Sequence, residues 1–213
     1  KSLQVFAHAS FGPGKMKHRV FPGLPFKEYD ALVLRNSGHD WGFTMFRDAL
    51  ISSLAAGTEV DTWAYRPAIV FINGAYWGLH NIREKLNDKY IAQHHPGVNP
   101  DSLDIMEYVV QHNLLQEDRT HFDAMTAYMQ NHDLSVPAYY EQVKKLMDVD
   151  QFIDYQVIEI FANNGGWPGN NVKFWRPKTP DGKWRWILYD TDCGFGHPVY
   201  GPSTPDHNKL VLA

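Results

Sequence analysis

Two polar, glycine-rich segments late in the chain carry the residues best suited to chemistry. The first is Asn163-Asn164-Gly165-Gly166-Trp167-Pro168-Gly169-Asn170-Asn171, and the second is Tyr189-Asp190-Thr191-Asp192-Cys193-Gly194-Phe195-Gly196. An aromatic hairpin separates them: residues 172–176 and 183–189 read as strands joined by Pro180-Asp181-Gly182. A strand that releases two carboxylates into a glycine-rich turn suits magnesium, which takes hard oxygen ligands and keeps waters or phosphates in its remaining positions. Asn171 precedes the first strand, so the hairpin returns it beside Asp190 and Asp192. This pattern allows an Asn/Asp/Asp cluster around a metal-bound phosphate. Asx residues beside glycines are also the ordinary vocabulary of turns, and on spacing alone that reading is the commoner one.

Other motifs fail on their own terms. Phe11-Gly12-Pro13-Gly14-Lys15-Met16 lacks the first glycine of a phosphate loop and the Ser/Thr after its lysine, so it reads as a turn. Asp190-Thr191-Asp192-Cys193-Gly194 begins like a calcium loop but puts Gly194 at the third ligand position. His94 and His95 are neighbours that project differently and make a poor metal pair. There is no His-Glu-x-x-His and no Gly-x-Ser-x-Gly elbow. The single cysteine, Cys193, excludes a disulfide framework and a cysteine-based zinc site. Flanked by carboxylates, its thiol should be inert.

The positioning elements follow from pattern. Residues 1–35 read as strands and turns, with Ala31-Leu32-Val33-Leu34 as a buried strand. Residues 44–56 read as a helix with Phe46, Leu50 and Leu54 at spacing four and Thr44 as cap. Asn73-Gly74 between two apolar runs predicts a tight hairpin. Residues 84–95 suit a short helix that ends before Pro96-Gly97. Three helices are expected over 118–131, 136–147 and 148–163, the last with Phe152, Ile153, Val157, Ile160 and Phe161 on one face. Strands, helices and a final hairpin give an α+β class. Arg35, Asp40, Arg47 and Asp48 border apolar segments; they read as phosphate or substrate contacts or, preferably, as a buried ion-pair network. Arg83-Glu84-Lys85 suits a solvated helix start equally well. Trp184 and Trp186 share a strand face, and with Trp175 are expected in the core rather than as a sugar-stacking platform.

Composition narrows the class further. The chain has 213 residues, 44% hydrophobic and 21% charged, with a net charge of −4. No basic excess argues for nucleic acid, and no apolar run approaches the ~18 residues of a membrane span. The chain begins at Lys1 in a strand, without Met or signal peptide, and stops at Val211-Leu212-Ala213, so it reads as a piece of a longer polypeptide.

The order of loop asparagine, hairpin and aspartate-containing turn is that of protein kinases, in which an Asn and an Asp hold the metals. There the catalytic Asp precedes the Asn by five, the position of Gly166 here. More specifically, the chain resembles the CotH (spore-coat protein H) kinase family. The resemblance is carried by Leu34-Arg35-Asn36-Ser37-Gly38-His39-Asp40-Trp41, Phe71-Ile72-Asn73-Gly74-Ala75-Tyr76-Trp77-Gly78-Leu79, Ile82-Arg83-Glu84-Lys85, Trp167-Pro168-Gly169-Asn170-Asn171 and Trp184-Arg185-Trp186-Ile187-Leu188-Tyr189-Asp190-Thr191-Asp192. It implies a protein-kinase-like two-lobe fold, with a β-rich lobe over 1–90, incomplete at its start, and a helical lobe over 91–213. It implies binding of ATP with Mg²⁺ and phosphorylation of a protein hydroxyl, with coat or surface proteins as partners and a spore-coat, cell-surface or extracellular setting. Asn171 with Asp190 or Asp192 would hold the metal, Glu84 would lie near the nucleotide, and Lys1 would pair with its phosphates. The family pattern reads Asn-x-Asp-Trp-Pro where this chain has Asn164-Gly165-Gly166-Trp167-Pro168. The residue missing at Gly166 is the catalytic base, so the resemblance leaves either a weak kinase or a nucleotide-binding pseudokinase or interaction module.

Overall fold

A computed structural model describes residues 1–108 and 119–200. Strands β1 (Leu3–Phe6), β2 (Met16–Lys17), β3 (Glu28–Tyr29) and β4 (Ala31–Arg35) are followed by helix α1 (Arg47–Leu54). Strands β5 (Asp61–Thr62), β6 (Tyr65–Ile72) and β7 (Ala75–Glu84) lead to α2 (Asp88–His94) and β8 (Leu103–Tyr108). Helices α3 (Thr120–Asn131), α4 (Pro137–Leu146) and α5 (Val149–Ala162) precede β9 (Val172–Pro177) and β10 (Arg185–Leu188). The α+β expectation holds. The start of α3 expected at Asp118 and the end of the chain at 211–213 lie outside the described residues.

Two four-stranded sheets organise these elements. The first runs β1-β4-β7-β6 and is antiparallel throughout. Its hairpin closes through Asn73 at φ 51° and Gly74 at φ 80°, the left-handed pair that a tight turn needs. The second runs β5-β10-β9-β8. Only β5 is parallel to its neighbour, pairing Asp61 with Ile187 and Thr62 with Leu188. Trp63 and Ala64 therefore carry the chain from one sheet straight into the other.

The main core lies between the second sheet and the helices. Trp184, Trp186, Phe174, Leu188, Tyr155, Ile51, Ala162 and Met125 form its buried centre. Phe174 stacks on Trp186 with centroids 5.6 Å apart, and Phe122 meets Trp184 edge-on at 5.3 Å. Trp175 packs on the opposite face with Ile187, Tyr90 and Ile91. All three hairpin tryptophans are thus interior, which argues against a carbohydrate-stacking surface.

Both sequence-based helix faces need correction. Phe46, Leu50 and Leu54 are 48%, 40% and 45% exposed, while Asp48, Ala49, Ile51 and Ser52 are buried. The helix is turned by charge: Asp48 must reach arginines on the first sheet, and burying it outranks burying two leucines. On α5, Ile153, Val157 and Phe161 face outward, and Gln151, Tyr155, Ile158, Glu159 and Ala162 face inward. Gln151 is drawn in because its amide pairs with the main chain of Trp186 in both directions. Thr44 does not cap α1; its N–H and hydroxyl both donate to Asp40, whose Oδ2 also accepts the first helical N–H, that of Arg47, at 3.1 Å, while the N-cap residue Phe46 makes no side-chain bond. Strand β8 had no clear signal because its inward face carries a carboxylate, Asp104, buried against Arg176 at 2.9 Å.

The reversed face of α1 is testable by chemical denaturation. Ile51→Ala should cost about 2–5 kcal/mol, whereas Leu50→Gln should stay within about 1 kcal/mol of the unaltered chain. The opposite ranking would restore the face expected from spacing.

Candidate functional site

The site forms where β4 ends and the turn after β10 begins. Beyond Arg35 the chain enters a short 3-10 turn, Gly38–Asp40, with Ser37 at φ 71° and Gly38 at φ 57°. A Cβ on Gly38 would lie 2.0 Å from Asp192 Oδ2 and 2.7 Å from Arg35 Nη2, so glycine alone allows this approach. The closeness lets the His39 N–H donate to Asp192 Oδ2 at 2.9 Å. Arg35 Nη2 donates to the same oxygen at 2.7 Å and also to Asp190 Oδ1. Asp192 is buried, while the Asp190 side chain keeps 26% exposure.

Asp48 lies beneath this pair. Its Oδ1 accepts from the N–H and hydroxyl of Thr191 at 3.0 and 3.1 Å. Its Oδ2 faces Arg83 Nη2 at 3.2 Å and Arg35 Nε at 4.0 Å. Burial alone would raise the Asp48 pKa, but Arg83, Arg35 and the Thr191 bonds outweigh it and hold the group below its ordinary value. For Arg35, burial works against the charge and is overcome by Asp190, Asp48 and Asp192, which raise its pKa. Asp192 is pushed the other way: burial and the neighbouring Asp190 raise its pKa despite Arg35 and the His39 N–H. The preferred reading of Arg35, Asp40, Arg47 and Asp48 as an ion-pair network matches this geometry. Arg47 completes it, with Nε 3.3 Å from Asp40 and Nη1 donating to the carbonyls of Gly194 and Phe195.

The asparagine loop is laced to the same turn. Gly165 N–H donates to the Cys193 carbonyl at 3.1 Å, and Phe195 N–H to that of Ala162. Asn164 is buried, donates to Glu159 Oε2 at 2.9 Å and accepts from Gly166 N–H at 3.2 Å. Asn171 and Asp190 bracket the hairpin, both in the left-handed region at φ 58° and 55°, which Asn and Asp tolerate. Asn171 Nδ2 reaches the main-chain carbonyl of Asp190 at 3.5 Å. A Cβ at Gly166 would sit 3.3 Å from Asn171 Nδ2. Gly166, Asn171 and the main chain of Asp190 therefore adjoin, and Arg35 joins the carboxylates of Asp190 and Asp192.

Lys1 and Glu84 stand apart from that cluster in their contacts. Lys1 offers its carbonyl to His80 Nε2 at 3.1 Å and lines a cleft of about 370 Å³ with Asn36, Trp41 and Trp77. Glu84 is buried, with Oε1 2.8 Å from His94 Nε2 and Oε2 accepting from Ala64 N–H at 2.9 Å. His95 turns instead to Asp61 at 2.7 Å, so the two adjacent histidines serve different carboxylates. A further cleft of about 400 Å³ is lined by Leu86, Asn87, Leu103, Ile105, Glu107 and Lys173. Glu107 accepts from the Tyr189 hydroxyl at 2.8 Å and pairs with Lys173 at 2.9 Å, next to Asp190 along the chain. Sequence reasoning missed His39, Arg83, Glu107 and Lys173 as members of this neighbourhood. His39 lies 153 residues before Asp192, and Arg83 serves Asp48 and Ser52 on α1; the segments that contain them do not reveal these partners. Burial and Asp192 push the Cys193 thiol up to about 12, so without a metal it is protonated and a poor nucleophile, and a metal bound to its sulfur would have to displace that proton.

The fold and this cluster define an α+β protein whose hairpin presents an asparagine and two aspartates at one end. Residues 1–209 match the family described as CotH kinase protein, and the chain belongs to that kinase-like family. No curated protein matches the chain. No helix among the described residues is long and apolar enough to cross a membrane.

Removing the Asp48 carboxylate tests the network. Asp48→Ala leaves Arg83 buried without its partner and should cost about 3–5 kcal/mol in urea unfolding. The Asp48 pKa lies below the ordinary 3.8, so its contribution is complete above that value and is lost as pH falls through the lowered one. Stability of the unaltered chain should therefore drop on acidification below pH 3.8, and Asp48→Asn should flatten that limb.

Proposed function

We propose that this chain binds a nucleoside triphosphate, ATP, with Mg²⁺, and is a CotH-type protein kinase whose transfer step is impaired at Gly166. The observation that carries this reading is the convergence of the Asn171 side chain, Asp190 and Asp192 beside Gly166. Their donor set fits magnesium: an amide oxygen and two carboxylates are hard ligands, and Asp190 is the one with solvent access. Bound there, the metal would neutralise phosphate charge. Arg35 holds both carboxylates together without a metal and supplies a fixed positive charge beside any phosphate that arrives. The cleft at Glu107 and Lys173 is the space we assign to the nucleotide; about 400 Å³ suits a small molecule. Glu84 would act at a distance, fixing the passage from β7 to α2 through His94, and Lys1 would flank the phosphates.

The acceptor would be a serine or threonine hydroxyl of a coat or surface protein, as in the family. No side chain at Gly166 can take its proton, and loss of a general base typically costs ~10²–10⁴-fold in rate. A nucleotide-binding pseudokinase is the second reading, and Gly166 is the observation that favours it. The backbone there is not left-handed, so an aspartate needs no unusual φ; its Cβ would lie 3.3 Å from Asn171 Nδ2, and that side chain would have to yield slightly to admit it.

Thermal unfolding with ATP and magnesium tests the binding step. Saturation at about 100 times Kd would stabilise the chain by roughly 2.7 kcal/mol, and Asp190→Ala and Asn171→Ala should each erase the magnesium-dependent part. An unaltered, folded chain with no such shift would end the nucleotide reading. Gly166→Asp should raise phosphate transfer from labelled ATP to a protein acceptor by ~10²–10⁴-fold. Rapid transfer by the unaltered chain would show instead that Gly166 impairs nothing.

A further inference from the structure

The turn after β10 carries a second set of donors, of a different chemical kind from the oxygen cluster. His39 Nδ1, Asp192 Oδ1 and Cys193 Sγ lie within 4.8 Å of one another. The edges of the triangle are 3.7 Å from sulfur to nitrogen, 3.5 Å from sulfur to Oδ1 and 3.7 Å from nitrogen to Oδ1. Zinc bonds of ~2.3 Å to sulfur and ~2.0–2.1 Å to nitrogen and oxygen, at tetrahedral angles, require edges of about 3.4–3.6 Å. The protein holds one face of that tetrahedron nearly at its bonded spacing. We propose that His39, Asp192 and Cys193 form a binding site for a zinc-class divalent cation, with the fourth position open to solvent.

Three features of the surroundings support this. Asp192 is oriented through its other oxygen: Oδ2 takes the Arg35 and His39 N–H bonds, which leaves Oδ1 turned to the triangle. Such outer contacts fix the direction of a ligating carboxylate. The His39 ring is 55% exposed, so a cation can enter from solvent, and Tyr200 packs against that ring at 4.4 Å. The turn bearing His39 is held by His197, whose Nε2 lies 3.0 Å from the His39 carbonyl. A sulfur, an imidazole and one carboxylate select a borderline-soft cation over magnesium. The lone cysteine excludes a zinc site built from cysteines, but this site needs only one; Asp192 is its chain neighbour, and only His39 comes from a turn 154 residues away. His39 and Cys193 are not among the ligands proposed for magnesium, while Asp192 is common to both sets; a test that reads the Cys193 thiolate without nucleotide therefore separates this site from the nucleotide reading.

Cobalt(II) substitution provides the test, without nucleotide present. Cys193 is the only cysteine, so any thiolate-to-cobalt charge-transfer absorption in the near ultraviolet reports this site alone. The unaltered chain should develop that band, saturating at one equivalent, and zinc should displace it. Cys193→Ser should abolish the band. His39→Ala removes an exposed ring and should leave the fold intact, as circular dichroism would verify. It should weaken zinc affinity at least ~10-fold in competition with a chromophoric chelator. Absence of the band in the unaltered chain, or wild-type zinc affinity in His39→Ala, would overturn the proposal.

Discussion

The buried carboxylate of Asp48 is the constraint on which the arrangement depends. It joins α1 to β4 through Arg35, to β7 through Arg83, and to the turn after β10 through Thr191. A charge removed from water must be matched by opposite charge and by hydrogen bonds, or its desolvation is uncompensated. That requirement explains why α1 buries Asp48 and Ser52 and leaves Phe46, Leu50 and Leu54 exposed. Ser52 follows the same logic, accepting from Arg83 Nη2 at 2.9 Å. Segments from both halves of the chain are thereby fixed to a point within one side-chain length of the candidate ligands.

The same network sets the electrostatics of the site. Among the described residues, Asp48, Asp190 and Asp192 share two arginines, Arg35 and Arg83, with the His39 ring 3.7 Å from Asp192 Oδ1, so the carboxylates outnumber the guanidiniums by one. Arg35 is shared among all three carboxylates. A guanidinium divided in this way does not offset the burial and the neighbouring Asp190 that raise the pKa of Asp192. A cluster with surplus negative charge and limited solvent access favours a cation. Gly38 is the steric condition for it, since any side chain there would displace Asp192 from both of its donors.

Local order was legible in the chain where a turn or a strand period states itself. Asn73-Gly74 and Pro180-Asp181-Gly182 placed both long hairpins, and the aromatic strands were recognisably interior. The convergence of Asn171 and Asp190 also followed, because a hairpin returns its ends to one place. Helix faces were not legible, because spacing counts apolar residues and ignores the pull of a buried charge or of Gln151 on a strand edge. Long-range partners were not legible either. Nothing near His39 indicates that Asp192 and Cys193 will meet it, and nothing near Arg83 indicates Asp48. Such pairs are set by the topology of two sheets joined through Trp63 and Ala64, which no local period encodes.

This division bears on which residues speak for function. Asp48 and Asp192 are buried members of a network that the fold requires, so their presence is accounted for without any ligand. Asp190 and Asn171 are different. Asp190 adds a partly exposed carboxylate to a site that already holds excess negative charge, and Asn171 occupies a left-handed position beside it. The Asp190 carboxylate is one that stability alone would not favour, because like charge in proximity is unfavourable. Under the proposed reading, a bound cation would resolve the conflict by supplying the charge that Arg35 cannot supply to three carboxylates at once. Under the proposed reading, Asp190 and Asn171 are the residues whose placement a metal would explain, and the bare backbone of Gly166 next to them is what would slow transfer.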